Sequence, residues 1–286
     1  MKPFRIQYVG NLFVDKLFDH FTKIVRPNES PYLALCGNIG HPSSSTTASF
    51  LDYCAGHWEK VFWIPGPYEL GQRKTSGLVY YRDNLDRMQE LANKKKVTLL
   101  HQNSIKVKEV TVMGATLWTP CHSDRIEGKY EQVEFQEIYK HSGTVSPIDL
   151  AEWNKEDVAF LKQELTGTND PCVVLTHHLP HPSLLSTQVS IPTLKRIGLE
   201  TNFLAQLLRP PCRLWLAGAS GSAASCIFPN GVFASVNSLY EYPMRSRLRK
   251  NPGYDPLAYA EIGVHEAFPF YATMFNAPRQ KQQMLM

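Results

Sequence analysis

The sequence lacks most of the features that announce a secreted, membrane-spanning or nucleotide-binding protein. It has no run of 18 or more apolar residues, so no membrane span is expected. Met1 to Val9 passes almost directly into a strand-like run. That stretch is too short for a secretory leader and is not an Arg-rich amphipathic presequence. The six cysteines (Cys36, Cys54, Cys121, Cys172, Cys212 and Cys226) include no C-x-x-C pair. Cys36, Cys172 and Cys212 sit in or beside apolar runs, where a thiol behaves as a small buried hydrophobe. Free thiols in a reducing, intracellular compartment are therefore expected, with cytoplasm and mitochondrion not distinguished. No Walker or dinucleotide fingerprint and no G-x-S-x-G elbow occurs, which argues against a P-loop or Rossmann site and a serine hydrolase. Charge of one sign is not in large excess either. A net charge of +4 falls well short of a histone-like surplus and leaves nucleic-acid contact to local patches. Internal repeats and low-complexity blocks are also missing.

What is present points to a packed domain. The 286 residues are 43% hydrophobic, enough for one large domain or two unequal ones. Short apolar runs at Phe4–Val9, Tyr32–Cys36, Val61–Ile64 and Val97–Leu100 read as strands. Helical periodicity lies between them: Leu17, Phe18, Phe21, Ile24 and Val25 share one face, and further helices are expected near Ala48–Trp58 and Asp83–Asn93. This alternation predicts a parallel sheet with crossover helices. Ile105–Val107 and Val110–Trp118 read as a hairpin, Asp149–Leu165 as a helix, and Asn202–Leu208 as a short helix. Val173–Thr176, Arg213–Ala217, Ser225–Phe228 and Val232–Asn237 read as later strands.

In such sheets, sites gather at the carboxyl ends of strands. The strand ends here read Gly10-Asn11-Leu12-Phe13, Gly37-Asn38, Gly66-Pro67-Tyr68-Glu69, Thr176-His177-His178 and Ala217-Gly218-Ala219-Ser220-Gly221. Further pieces stand in the same order: VMGATLWTP at Val112–Pro120, VVLTHHLP at Val173–Pro180, LWLAG at Leu214–Gly218 and NSLYEYP at Asn237–Pro243. Taken together they resemble the calcineurin-like metallophosphoesterase family over roughly Phe4 to Pro243. The resemblance implies an α/β fold: a β-sandwich of two mixed sheets flanked by helices, spanning 1–243. Within it, 121–147 is expected as a surface excursion or lid. Residues 244–286 are expected as a basic extension packing on the domain or on a partner.

The family's pattern is D-x-H, G-D, G-N-H-E/D, a lone His and G-H-x-H. Laid on this chain, its first Asp falls on Asn11 and the partner His on Phe13. The bridging Asp falls on Asn38, the metal-binding Asn on Pro67 and the catalytic His on Tyr68. The late His falls on His177, with His178 a second register. The last two His fall on Ala219 and Gly221. Of these seven ligand positions only His177 keeps its expected type. The family would hold two divalent ions about 3.5–4 Å apart. Their repulsion calls for anionic ligands, which neutral Asn does not supply. Phe, Pro, Ala and Gly offer no donor atom. The resemblance thus implies an inactive relative without a metal cofactor, acting as a structural or interaction module with protein partners in a larger assembly. Two alternatives stay open. One is a residual metal-dependent phosphoesterase with a site rebuilt around His177, His178 and Glu69. The other is an RNA-associated component of a ribonucleoprotein such as a mitochondrial ribosome, bound through Arg245, Arg247, Arg249 and Lys250. The plainer readings are a helix-capping Glu69, turn-forming Asn11 and Asn38, hydrogen-bonded histidines and a solvated basic segment.

Overall fold

The structure is a computed structural model. It describes residues 3–16, 20–72, 77–119, 137–185, 201–219, 223–244, 247–251, 253–263, 271–275 and 283–284. The first part alternates strand and helix: β1 (Phe4–Val9), α1 (Phe21–Ile24), β2 (Tyr32–Cys36), α2 (Ser45–His57), β3 (Lys60–Ile64), α3 (Pro67–Leu70), α4 (Tyr81–Lys95) and β4 (Thr98–Leu99). The antiparallel pair β5 (Asn103–Val107) and β6 (Val110–Ala115) then carries the chain to a second sheet. A small hairpin, β7 (Tyr139–Lys140) with β8 (Gly143–Thr144), precedes α5 (Pro147–Thr166). Next come β9 (Cys172–Thr176), β10 (Cys212–Ala217), β11 (Ala224–Ile227) and β12 (Phe233–Val236). The hairpin β13 (Tyr240–Met244) and β14 (Arg247–Lys250) follows, and then β15 (Tyr259–Gly263), β16 (Tyr271–Phe275) and β17 (Gln283–Met284).

Sheet one runs β16-β15-β1-β2-β3-β4 and sheet two β17-β11-β12-β10-β9-β6-β5. Both are mixed. β1, β2, β3 and β4 are parallel, while β15 joins β1 antiparallel. β6, β9, β10 and β12 are parallel, flanked by antiparallel β5 and β11. Side chains on a strand alternate between faces, and the sequence uses both. On β2, Tyr32, Ala34 and Cys36 join the core between the sheets, whereas Leu33 and Leu35 join the core under the helices. On β10, Leu214 and Leu216 face inward while Trp215 and Ala217 pack outward with Leu161 and Leu165 of α5. The result is a four-layer helix–sheet–sheet–helix sandwich. Strands buried on both faces read as unbroken apolar runs. Each fully buried large side chain, Trp63 and Trp215 among them, contributes roughly 1.5–3 kcal/mol. Five described cysteines are free and buried. No described helix is long and apolar enough to cross a membrane.

α5 begins where its sequence dictates. Ser146 Oγ accepts from the Asp149 amide (3.3 Å), Asp149 accepts from the Ser146 amide (2.8 Å), and Pro147 occupies the first helical turn. Two sequence expectations need correction. The helix expected through Val25 is only Phe21–Ile24 among the described residues: Val25 is already extended and Pro27 bars its neighbour from helical geometry. Asn202–Leu208 forms turns rather than a helix. The amides of Asn202 and Leu204 are drawn to the carbonyls of Leu179 and Pro180 (3.1 and 3.0 Å), so tertiary bonds replace helical ones. Of the 121–147 excursion, 121–136 lies outside the described residues, and the remainder holds the β7–β8 hairpin. Beyond position 243 the chain supplies β15 and β16 to sheet one and β17 to sheet two.

Candidate functional site

The carboxyl ends of β1, β2, β3, β9, β10 and β12 converge at one end of the sandwich, and there the two sheets touch through backbone. Gly10 forms a parallel bridge to Ser238, donating to the Asn237 carbonyl (3.0 Å) and accepting from the Leu239 amide (3.0 Å). No room is left for side chains. A Cβ on Gly218 would lie 1.6 Å from the Cys36 carbonyl oxygen, and one on Gly10 would lie 2.4 Å from the Gly218 Cα. Gly37, at φ 77°, is pressed against the His177 ring. Glycine is thus demanded here by close approach.

The loops leaving the strands turn sharply. Asn11, Phe13 and Asn38 have φ near 50°. Asn tolerates this left-handed region, whereas for Phe13 it is strained by about 1–2 kcal/mol. Tertiary hydrogen bonds enforce it: the Asn11 amide donates to the Gly37 carbonyl (3.0 Å), Phe13 to Asn38 (3.0 Å) and Val14 to Ile39 (2.8 Å). Asn38 Nδ2 donates to Asn11 Oδ1 (3.1 Å), and Asn38 Oδ1 accepts from the Tyr68 backbone amide (2.9 Å). Both asparagines are fully buried and held by each other and by main chain.

The Glu69 carboxylate lies at this junction, and its oxygens are engaged by backbone amides. Oε2 accepts from the amides of Asn38 and Gly66 (2.9 Å each), and Oε1 from Ile39 (2.5 Å) and Gly40 (3.4 Å). Burial pushes its carboxyl up to about 7, and these amides pull the other way by favouring the anion. The group pins the loop after β2 to the loop after β3.

His177 is fully buried. Its Nδ1 stands 3.1 Å from the Cys36 carbonyl, which only accepts, so Nδ1 carries the proton and Nε2 is the bare nitrogen. Nε2 meets no partner among the described residues, and neither does His178 Nδ1. Burial lowers His177 to about 4. Burial, with His177 alongside, lowers His178 well below its ordinary value. Both rings are neutral at pH 7, edge to face at 4.7 Å.

The remaining predicted positions fall in the same place. Phe13 is buried and meets the half-buried Tyr68 edge-on at 5.1 Å. Tyr68 donates to Asp15 (2.9 Å), and Lys16 lies 4.3 Å over its ring. Pro67 is buried at the start of α3. Ala219 is buried, its amide donating to the His177 carbonyl (2.8 Å). Gly221 and Arg245 lie outside the described residues. Arg247, Arg249 and Lys250 belong to β14, which pairs with β13 (Lys250 opposite Tyr240), and Lys250 is exposed. Among the described residues no group of three or more His, Cys, Asp or Glu could hold a metal. Two neutral amides bonded to each other, one imidazole and an amide-bound Glu69 do not fit a two-metal centre, whose charge needs free carboxylates. The helix-capping reading of Glu69 holds at the Gly66 amide, while its bonds to the amides of Asn38, Ile39 and Gly40, about thirty residues away, have no local sequence signal. The helix-capping pattern G-x-x-E at Gly66–Glu69 was the signal available.

No protein-family model matches the chain. An uncharacterized protein of Acanthamoeba polyphaga mimivirus is 24% identical over 249 residues, covering 82% of this chain and 85% of that protein. Among solved structures, phosphopantetheinyl hydrolase from Mycobacterium tuberculosis superposes with a TM-score of 0.61 at 18% identity, covering 88% of this chain and 98% of the other. A dimetal phosphatase from Danio rerio gives a TM-score of 0.51 at 11% identity, covering 98% of both. The chain therefore has the metallophosphoesterase-like fold: two mixed sheets face to face between helices, with strand ends converging on one junction.

Proposed function

We propose that this chain is a catalytically inactive member of the metallophosphoesterase-like proteins, retained as a structural or interaction module. One observation supports the reading above others. Where the fold's relatives would carry metal-binding carboxylates, Asn11 and Asn38 bond to each other, and the nearby Glu69 is engaged by four main-chain amides. A dication there would have to break that network and would gain no anion in return. The strained loops around Asn11, Phe13 and Asn38 support a frame inherited from an enzyme, since such strain clusters at functional sites. The module binds protein partners. The β13–β14 hairpin, with Arg247, Arg249 and Lys250 on one strand, favours an acidic face, with RNA phosphates as the competing partner.

The test is elemental analysis of the purified protein after exposure to Mn, Fe and Zn, paired with hydrolysis of bis(p-nitrophenyl) phosphate. Substoichiometric metal and background turnover are expected. One or more bound ions per chain, with turnover lost in His177→Ala, would establish a rebuilt hydrolase instead. Salt-dependent retention of RNA would assign the basic hairpin to nucleic acid.

A further inference from the structure

Beside the closed junction lies an open recess. A cavity of about 440 Å³ opens between the N-terminal part of α4, the middle of α5 and the chain after β6. That volume suits a small ligand. Its wall is aromatic. Tyr81 and Trp153 have ring centroids 4.7 Å apart at 46°, and Trp153 and Trp118 are 5.1 Å apart at 51°. Three rings in contact, each turned by about half a right angle from the next, make a curved surface with no slot for a flat base to stack between them. Leu70 and Leu85 complete the apolar lining.

The charges around this wall have a sign. Arg82, Asp86 and Glu156 line the cavity, one cation against two anions. Arg82 interacts with both acids, donates to the Tyr81 hydroxyl (3.1 Å), and lies 5.9 Å from that ring. The aromatic wall therefore already attracts a cation of the chain, and among the described lining residues one negative charge remains in excess. Behind the wall stands Asp157, wholly buried on α5, accepting from Gln102 of the cavity lining (2.8 Å) and from the Trp118 backbone amide (3.2 Å). His101, also in the lining, is held neutral at pH 7 by burial and adds no opposing charge. An anionic ligand would meet Asp86 and Glu156 at entry. A cation with an apolar coat would meet the half-buried rings of Tyr81 and Trp153, backed by the buried Trp118, with two surface carboxylates and a third behind.

We propose that the recess formed by Tyr81, Trp118 and Trp153 binds a methylated ammonium group, with Asp86 and Glu156 selecting for its charge. The group's shared chemistry is a positive centre wrapped in methyls, carried by a free choline-like molecule or by a trimethylated lysine side chain. The inference does not depend on whether the strand-tip junction is inactive.

The experiment is a titration of the full chain with choline, followed by tryptophan emission and by saturation transfer to the choline methyl protons. A peptide carrying trimethyllysine is run alongside, and 3,3-dimethylbutan-1-ol serves as the neutral isostere. Saturable binding of choline or of the peptide is expected, with the isostere at least about tenfold weaker. Tyr81→Ala and, separately, Glu156→Gln should each weaken it by about threefold to tenfold. Glu156 is exposed, so its variant tests the idea even if Tyr81→Ala impairs folding. The inference is overturned if neither cation binds at millimolar concentration, if the isostere binds as well, or if Glu156→Gln leaves affinity unchanged.

Discussion

The strand-tip junction and the α4–α5 recess lie next to each other, with Trp118 only 5.9 Å from His178, yet they are built on opposite plans. The junction is tight, glycine-dependent and closed by main chain. The recess is lined by large rings with room left over. The strand-end motifs of the sequence concentrate attention on the junction, because Asn11, Asn38, Glu69 and His177 all meet there. The open volume is elsewhere. What a fold keeps as geometry and what it keeps as space need not coincide.

On this contrast, substitutions at the junction cost stability, whereas those of the exposed recess carboxylates such as Glu156 do not. The largest effect is expected from Gly218→Ala. Its new methyl would collide with the Cys36 main chain, a partner that cannot rotate away, and a loss of about 3 kcal/mol or more should appear in chemical denaturation. Gly56→Ala is the control: it sits in α2 with open space around it and should stabilise by about 0.5–1 kcal/mol.

Glu69→Gln should come next. In mildly alkaline buffer the wild-type carboxylate accepts from main-chain amides, whereas the carboxamide turns a donor toward them. A loss of about 2–3 kcal/mol is expected. A loss under about 0.5 kcal/mol would show that the loops are pinned by something else.

Acid should expose the buried histidine. In the folded chain His177 stays neutral down to about 4, while in the unfolded chain it takes a proton near its ordinary 6.5. Between those values the unfolded state binds more protons, so stability falls as pH falls. The contribution is complete above 6.5 and is lost toward 4. Glu69 acts with the opposite sign, since its raised carboxyl holds a proton longer in the folded state. The difference between wild type and His177→Gln isolates the imidazole. That difference should shift against wild type by on the order of 3 kcal/mol across the window. A pH-independent difference would place His177 in water. The smallest effect belongs to the recess: Glu156→Gln should change stability by less than about 0.5 kcal/mol while weakening cation binding.

The sandwich was legible where residues report on their own strand. Tyr32-Leu33-Ala34-Leu35-Cys36 is apolar throughout because sheet and helices cover both its faces. Strand tips were legible through Gly37, Gly66 and Gly218, where a side chain would collide with the His177 ring, with Asn38 and with the Cys36 main chain. Long-range choices were not. β15 lies against β1 across some 250 residues of chain, and no local period announces such a pairing. Asn202–Leu208 has a helical pattern, but its amides answer to Leu179 and Pro180. The recess was hidden for the same reason: Tyr81, Trp118 and Trp153 come from three elements, and each reads alone as ordinary packing.

The Gly10–Ser238 bridge has a mechanical consequence. It staples the two sheets at one end, so this end should part last when the sandwich opens. The amides of Gly10 and Leu239, which lie in that staple, should exchange with deuterium only at the rate of complete unfolding, while those of the edge strand β5 exchange through smaller openings.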